Sequence, residues 1–279
     1  MDKTDKFIKN WDSQIKEWFL KVNKTDVYIK YLSGFQTTEM LEPYWGTPKC
    51  SIAILNLNPG FDRNRTHEQE EMFNAIMDLI QEKGYSPIAL QFPYYQHNKE
   101  LEKNGLGMFV GYNGTKWWQS RRPWIEHIIK ATDKNVGDRL PFALELCPWH
   151  SINWNSKQFI DSLKEQEFKN HIEANVISIF EEAIFNSKCK IGICIGKSFG
   201  KILETYGYFN ITNTYYPHSN DDGIQLIPSV KRYYRIYKKG ETIILNTWHK
   251  GGNRIPNVKF WDREEKTYCK CDKKYNLII

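Results

Sequence analysis

The sequence predicts an α/β fold in which helices cover both faces of a central, mainly parallel β-sheet. Three observations lead to this prediction. Short apolar runs recur along the chain, Gly or Pro turns end several of them, and segments with helical periodicity lie between them. In such sheets, ligands bind just beyond the carboxyl ends of the strands. The residues that follow each predicted strand are therefore the first candidates for a functional site.

The composition is typical of a globular protein with a basic surface. Hydrophobic residues make up 41% of the 279 residues, which is enough for a large core. We predict a single domain over residues 1–279, with a helical extension over about residues 1–40. The net charge of +6 is compatible with a nucleic-acid partner, and an aromatic fraction of 15% provides rings for base stacking as well as for packing.

The cysteine spacing and the N-terminal residues argue against several classes of protein. Neither the pair Cys189 and Cys194 nor the pair Cys269 and Cys271 has the CxxC spacing of a zinc site, so we expect no metal and no other cofactor. The charged N-terminus lacks the apolar core of a signal peptide, and no run of about 20 apolar residues occurs. We therefore expect a cytoplasmic protein without a membrane partner. We also expect a monomer, although no sequence pattern bears on the oligomeric state.

The first half of the chain contains a strand–loop–helix unit. Ser51 to Leu57 is an apolar run that ends at Asn58-Pro59-Gly60, as a buried strand does when it leads into a turn. The other segments predicted here are an amphipathic helix over residues 1–23, a helix over Glu68 to Lys83, a long aromatic loop over Tyr85 to Gly114 and a helix over Trp117 to Thr132.

The second half repeats the alternation and ends in a hairpin. Leu140 to Cys147 is a buried strand stopped by Pro148, and Lys190 to Ile195 is another that runs into Gly196. Two helices are predicted here, one over Ser156 to Asn186 with one break near Lys169 and one over Ser198 to Tyr206. Two strands, Arg232 to Tyr237 and Thr242 to Leu245, form a hairpin that turns at Lys239-Gly240, and the second strand ends at Asn246.

Three of these segments, in this order, carry a family resemblance. The strand ending in Asn58-Pro59-Gly60 resembles the water-activating motif of the uracil-DNA glycosylase superfamily, in its mismatch-specific and single-strand-selective branches. Glu145 to Trp149 resembles the Asn-Tyr-Cys-Pro-Leu segment of the single-strand-selective branch, and Ile193 to Lys197 is similar to the late strand and glycine turn of that fold. A group of bacterial proteins also shares the pattern of Glu42 to Gly46, Leu57 to Phe61, Trp117-Trp118 and Glu145 to Ser151.

The resemblance implies a uracil-DNA glycosylase-like fold and a DNA glycosylase, which flips a base out of DNA and hydrolyses its bond to the sugar. By resemblance, the side-chain amide of Asn58 orients the attacking water. The alternative is that Asn58 only forms the turn before Pro59-Gly60. Phe61 is placed to stack on the flipped base, and its alternative is a core position under the loop.

Glu145 departs from the pattern, because the resembled branch has an Asn there that reads uracil. A carboxylate accepts hydrogen bonds, so it suits a base with an exocyclic amino group such as cytosine. The alternative is a buried Glu in a core ion pair. His150 is predicted to contact the base, with a capping or core hydrogen bond as its alternative, and Ser151 is predicted to contact DNA.

The last candidate segment runs from Asn246 to Arg254. It lacks the His-Pro-Ser-Pro loop of the superfamily but contains a His, a Gly pair and two cations. We place His249 beside the leaving base and the backbone amides of the Gly pair on a phosphate. An ordinary surface turn is the alternative. The residues predicted to bind DNA phosphates are Lys197, Lys250, Gly251, Gly252 and Arg254.

The sequence thus predicts an enzyme that excises a modified or damaged base. The long aromatic loop and Glu145 favour a bulky modified cytosine. Some bacterial glycosylases of the resembled superfamily defend against phages by removing glucosylated hydroxymethylcytosine from phage DNA, so the resemblance implies that base as the specific substrate. Trp117-Trp118 with Arg121-Arg122 is typical of a single-stranded nucleic-acid surface or of a helix core. The alternatives are a uracil or mismatch repair glycosylase, a non-catalytic nucleic-acid-binding module of the same fold, and an enzyme of free nucleosides or nucleotides.

Overall fold

The structure, a computed structural model, describes residues 26–35, 41, 43–45, 50–58, 141–151, 153–211, 224–225 and 232–249, together with helical positions at 3, 6, 9, 10 and 13. The chain forms two compact units. Unit 1 comprises Met1–Gly46, Leu57–Trp118 and Ala143–Ile179, and unit 2 comprises Thr47–Asn56, Gln119–Phe142 and Phe180–Ile279. The segments predicted over residues 68–83, 85–114 and 117–132 lie outside the described residues.

The described residues form an α/β structure. Its strands are β1 (Tyr44–Trp45), β2 (Ala53–Asn56), β3 (Phe142–Glu145), β4 (Ile191–Ile195), β5 (Phe209–Asn210), β6 (Ile224–Gln225), β7 (Arg232–Lys239) and β8 (Thr242–His249). Its helices are α1 (Val27–Tyr31), α2 (Ser156–Ser162), α3 (Gln166–Ile172), a π-helical segment (Glu173–Ile177), α4 (Ser178–Asn186) and α5 (Phe199–Thr205).

Unit 2 contains a mixed sheet with the strand order β2-β4-β8-β7-β5, and β6 also pairs with β7. The β2–β4 and β4–β8 pairs are parallel, whereas β8–β7, β7–β5 and β7–β6 are antiparallel. The expectation of a mainly parallel sheet is therefore wrong. The reason is the hairpin: it places β7 beside β8, and β7 then pairs with two strands that are too short to give a periodic sequence signal.

One face of this sheet carries two helices. Gly192 of β4, Ile244 of β8 and Tyr237 of β7 lie in one row of register partners, so they face the same side. Gly192 faces Phe180 of α4, and the Tyr237 hydroxyl lies against Gly200 of α5. Both α4 and α5 therefore pack on this side. The expected helices on the opposite face stay a prediction.

Gly192 is expected to tolerate no larger residue. A Cβ added there would overlap Ile184 Cδ1 and lie 2.7 Å from Phe180 Cζ, inside a buried contact. Overpacking of this kind costs about 1–3 kcal/mol, so Gly192→Ala should lower the free energy of unfolding by that amount in urea denaturation. Adding Ile184→Val, which removes Cδ1, should recover part of the loss. Equal stability of Gly192→Ala and the unmodified protein would contradict this packing.

The described part of unit 1 contains an aromatic cluster between short helices. The Asp26 side chain caps α1, accepting from Tyr28 N at 2.6 Å. Tyr28 then packs edge-on against Phe168 of α3, with 6.0 Å between ring centroids, and Phe159 of α2 meets Phe168 at 5.3 Å. In the same unit, β1 pairs with β3 in antiparallel fashion, with Tyr44 opposite Leu144.

Most of the predicted elements that fall within the described residues are confirmed to within one to three residues at their ends. Two boundaries differ. The long helix breaks after Ser162 rather than near Lys169, and it then continues through the π-helical segment to Asn186. Strand β8 extends three residues beyond Asn246, because Thr247, Trp248 and His249 each have a register partner on β7. Among the described residues, none of the helices has the length and apolar character needed to cross a membrane.

Candidate functional site

Two chain segments that follow neighbouring predicted strands meet in unit 1. Asn58 follows β2, and its Nδ2 donates to Ser151 Oγ at 2.8 Å and to the backbone oxygen of Trp149 at 3.4 Å. Cys147 N donates to Leu57 O at 3.0 Å, which holds the two segments side by side. Sequence reasoning placed Asn58 and Ser151 at strand ends, and the structure brings these two side chains into direct contact.

A residue that sequence reasoning missed supports this contact from the N-terminal side. Phe35 forms an isolated antiparallel bridge with Ser151, and its ring stacks on Trp149 with 6.4 Å between centroids. Both Ser151 and Trp149 are buried, at 5% and 6% exposure. The bridge fixes the backbone of Ser151 and therefore the point from which its hydroxyl projects. No local sequence pattern predicts the pairing of Phe35, because its partner Ser151 is more than one hundred residues away in sequence.

Glu145 and His150 lie in the same buried segment. Glu145 is the last residue of β3 and is 7% exposed, and its N–H donates to Pro43 O at 3.0 Å. His150 is 3% exposed. Asn58, which is half-buried, is the most accessible of these predicted site residues in unit 1. The structure thus places four predicted residues, Asn58, Glu145, His150 and Ser151, at the ends of the same two segments.

The electrostatics of this segment disfavour a cysteine nucleophile. Burial raises the pKa of the Cys147 thiol well above its ordinary value, and the negative charges of Asp26 and Glu145 raise it further, against a lowering hydrogen bond from the Trp149 backbone. The thiol therefore stays protonated near neutral pH, and a protonated thiol is a poor nucleophile. Cys147 is therefore not a candidate nucleophile.

In unit 2, two further predicted residues lie at the carboxyl edge of the parallel strands. Lys197 follows β4 and is exposed, and His249 is the last residue of β8. Gly196 makes the turn between β4 and α5 with a φ of 142°, a conformation that favours glycine, and its N–H donates to Thr247 O at 2.9 Å. Because His249 lies within β8, it belongs to a strand and not to the loop that the sequence suggested.

Asn246 of β8 has a buried side-chain amide near this edge. It is 0% exposed, and within the described residues neither its Oδ1 nor its Nδ2 has a hydrogen-bond partner. Its register partners are Cys194 on β4 and Arg235 on β7, so it lies on the face covered by the helices of unit 2. An unsatisfied buried polar group costs about 1–3 kcal/mol.

Replacing Asn246 with leucine, which has the same branching, is therefore expected to raise the free energy of unfolding by about 1 kcal/mol. Urea denaturation measures the change. Asn186→Leu, at an exposed helix end, is the matched control and should change stability by less than about 0.5 kcal/mol. A loss of stability in Asn246→Leu would show instead that the amide is hydrogen-bonded in solution.

Five predicted site residues lie outside the described residues, and so does the pair of tryptophans with its neighbouring arginines. The five are Phe61, Lys250, Gly251, Gly252 and Arg254. Their predicted roles in base stacking and phosphate binding stay predictions.

Neither the described residues nor the comparisons with known proteins add a further assignment. In the part of the chain that the structure describes, no group of three or more His, Cys, Asp or Glu side chains is arranged to hold a metal ion. No protein-family model, curated protein or solved structure matches the chain.

Proposed function

We propose that this protein is a DNA glycosylase that flips a modified base out of DNA and hydrolyses its N-glycosidic bond. The observation that carries the proposal is the placement of Asn58. Its amide is half-buried beyond the end of β2 and is held by the segment that follows β3. Ends of strands in α/β sheets are where ligands bind, and an amide fixed by two acceptors there presents its carbonyl in one direction.

In the proposed reaction, water attacks the anomeric carbon of the sugar while the bond to the base breaks. The transition state resembles an oxocarbenium ion, and the base leaves with the bonding electron pair and is then protonated. The products are a free base and an abasic site. Asn58 Oδ1 accepts a hydrogen bond from the water and orients its oxygen toward the sugar. A side-chain amide is a weak base, so its contribution is orientation rather than full proton removal.

Glu145 is the proposed base reader. Its carboxylate is buried beside the segment that holds Asn58. The negative charge of this carboxylate contributes to the raised pKa of the Cys147 thiol. A carboxylate accepts from the N4 amino group of cytosine but cannot donate to the O4 of uracil. We therefore propose a cytosine derivative as the substrate class, with glucosylated hydroxymethylcytosine of phage DNA as the specific substrate and phage defence as the role.

The partner in this proposal is DNA, in single-stranded form or as a duplex with a flipped base. The net charge of +6 and the exposed Lys197 support contacts with phosphates. By the resemblance, His249 acts on the leaving base, and this assignment stays an expectation. Binding through phosphates predicts that affinity for DNA falls steeply as the salt concentration rises, whereas an enzyme of free nucleosides would show little such dependence.

The test is a base-release assay. Purified protein is incubated with DNA that contains uracil, hydroxymethylcytosine or glucosylated hydroxymethylcytosine, and the released base is quantified by mass spectrometry. Release of the glucosylated base supports the full proposal. Release of uracil alone overturns the proposed substrate and favours a repair glycosylase. Salt-sensitive DNA binding without release from any substrate overturns the enzyme and favours a binding module.

A further inference from the structure

Three polar side chains lie side by side on one face of the sheet in unit 2. Arg235 of β7 is the register partner of Asn246 of β8, and Tyr237 is two residues further along β7. Directly opposed residues of an antiparallel pair face the same side with Cβ atoms about 5 Å apart, and residues two apart on a strand share a face. Asn246 also pairs with Cys194, the last residue but one of β4. Arg235, Tyr237 and Asn246 therefore form one polar cluster.

The polar atoms of this cluster are buried without hydrogen-bond partners. Arg235 Nε, the Tyr237 hydroxyl and both polar atoms of the Asn246 amide have none among the described residues. A Cβ added at Gly200 of α5 would lie 2.6 Å from the Tyr237 hydroxyl and 3.8 Å from Arg235 Nη1, so the tips of these two side chains lie together. Buried polar groups in native proteins are almost always hydrogen-bonded, so the cluster suits a bound group that supplies the partners.

The cluster combines hydrogen-bond donors with one permanent positive charge. The Arg235 guanidinium lies over the Trp248 ring, with 5.8 Å between Cζ and the ring centroid. Burial raises the pKa of the Tyr237 hydroxyl, against the lowering effect of the nearby guanidinium, so the hydroxyl stays protonated and can donate. Glu204 of α5 also raises this pKa, yet no carboxylate among the described residues forms an ion pair with Arg235. A partly buried cation surrounded by donors favours an anion as its partner.

We propose that Arg235, Tyr237 and Asn246 form an anion site in unit 2 whose ligand is a phosphate group. This inference does not depend on the proposed function. The planar fork of an arginine matches two oxygens of a phosphate, and the hydroxyl and the amide nitrogen donate to the others. Arg235 is half-buried and forms the entrance of the site, whereas Asn246, at 0% exposure, forms its base. Free phosphate and the phosphates of a DNA backbone present the same oxygens to these donors.

The first test measures unfolding in urea at constant ionic strength, with phosphate or chloride as the anion. A ligand of the folded protein at about one hundred times its Kd raises the folding equilibrium constant about 100-fold. Arg235→Gln and Asn246→Leu should each weaken phosphate binding at least tenfold, since each removes a hydrogen bond to a charged group. Lys238→Gln makes the same change of charge on the opposite face of β7 and should keep the full gain. No gain in the wild type, or an equal gain in all four proteins, would overturn the site, because phosphate also stabilises folded proteins without binding.

A second measurement observes the site directly and identifies the source of the phosphate. In ¹⁵N-labelled protein, the side-chain NH₂ resonances of Asn246 are identified by their loss in Asn246→Leu. Inorganic phosphate should shift them in the wild type and not in Arg235→Gln, and resonances that do not move at the highest phosphate concentration would overturn the inference. If single-stranded DNA competes with phosphate for the same shifts, the ligand is a DNA phosphate; if it does not, the ligand is free phosphate. Neither measurement uses base release, so a protein that releases no base would overturn the proposed function and leave the anion site in place.

Discussion

Asn58→Ala is expected to lower the rate of base release by about 10²- to 10³-fold while leaving DNA affinity unchanged. Asn58 is proposed to orient the attacking water, and misplacing a reacting group by about 1 Å typically costs 10²-fold. The substitution removes the acceptor entirely, so the loss should be at least that large. Single-turnover release at saturating DNA measures the rate, and fluorescence anisotropy measures affinity.

Stability has to be separated from chemistry in this variant. Asn58 makes two hydrogen bonds through Nδ2, so Asn58→Ala should also lower the free energy of unfolding by about 1 kcal/mol. That loss leaves the protein folded at 25 °C if the rest of the domain is of ordinary stability. Asn186→Ala, at the exposed end of α4, is the matched control and should keep the full rate.

The result also separates the enzyme from a binding module. If Asn58→Ala abolishes base release and keeps DNA affinity, the residue acts on chemistry. If wild-type protein protects cells against phage and Asn58→Ala protects equally well, turnover is not needed and the glycosylase proposal is wrong. If the variant loses DNA affinity in parallel with its rate, Asn58 acts as a binding residue or as a turn-former.

The position of Asn58 and Ser151 at strand ends could be predicted from the sequence. The runs ending at Asn58 and at Pro148 are almost entirely apolar, and buried strands produce such runs because both of their faces are covered. The contact between the two side chains was not predicted, because hydrogen bonding at a strand end depends on backbone geometry that side-chain periodicity does not encode.

The mixed sheet contains strands that are too short to be predicted from sequence patterns. The hairpin of β7 and β8 was predicted, and it already introduces one antiparallel pair. β1, β5 and β6 are each two residues long, and a period-two pattern cannot be recognised in two residues. Their pairing is decided by tertiary contacts. The Phe35–Ser151 bridge is missed for the same reason, since a single paired residue leaves no pattern.

Glu145→Gln is expected to change which base is released. The two side chains have the same shape, but glutamine replaces one acceptor oxygen with an NH₂ donor. A mismatched hydrogen bond to the base costs about 1–3 kcal/mol, so release of a cytosine derivative should fall by about 5- to 150-fold. Release of uracil, whose O4 can accept from the new donor, should rise relative to it. Competition between the two bases in one reaction measures the ratio directly.

The effect of removing the Glu145 charge must be separated from any effect on base recognition. Replacing any carboxylate on a DNA-binding protein raises its net charge and strengthens phosphate contacts. Glu173→Gln, at an exposed position in the π-helical segment of the same unit, makes the same change of charge away from the candidate site. It should raise the affinity for all DNA slightly and leave the ratio of released bases unchanged.

If Glu145 stabilises the fold and does not contact the base, the Glu145→Gln variant should behave differently. Glu145 lies at the end of β3 with its backbone bonded to Pro43, and a carboxylate that holds the core together would tie its side chain to the fold rather than to the substrate. Breaking such a buried pair costs about 3–5 kcal/mol, so Glu145→Gln would then unfold at a much lower urea concentration. Release of both bases would fall together. A changed ratio in a protein of nearly unchanged stability therefore requires that Glu145 contacts the base.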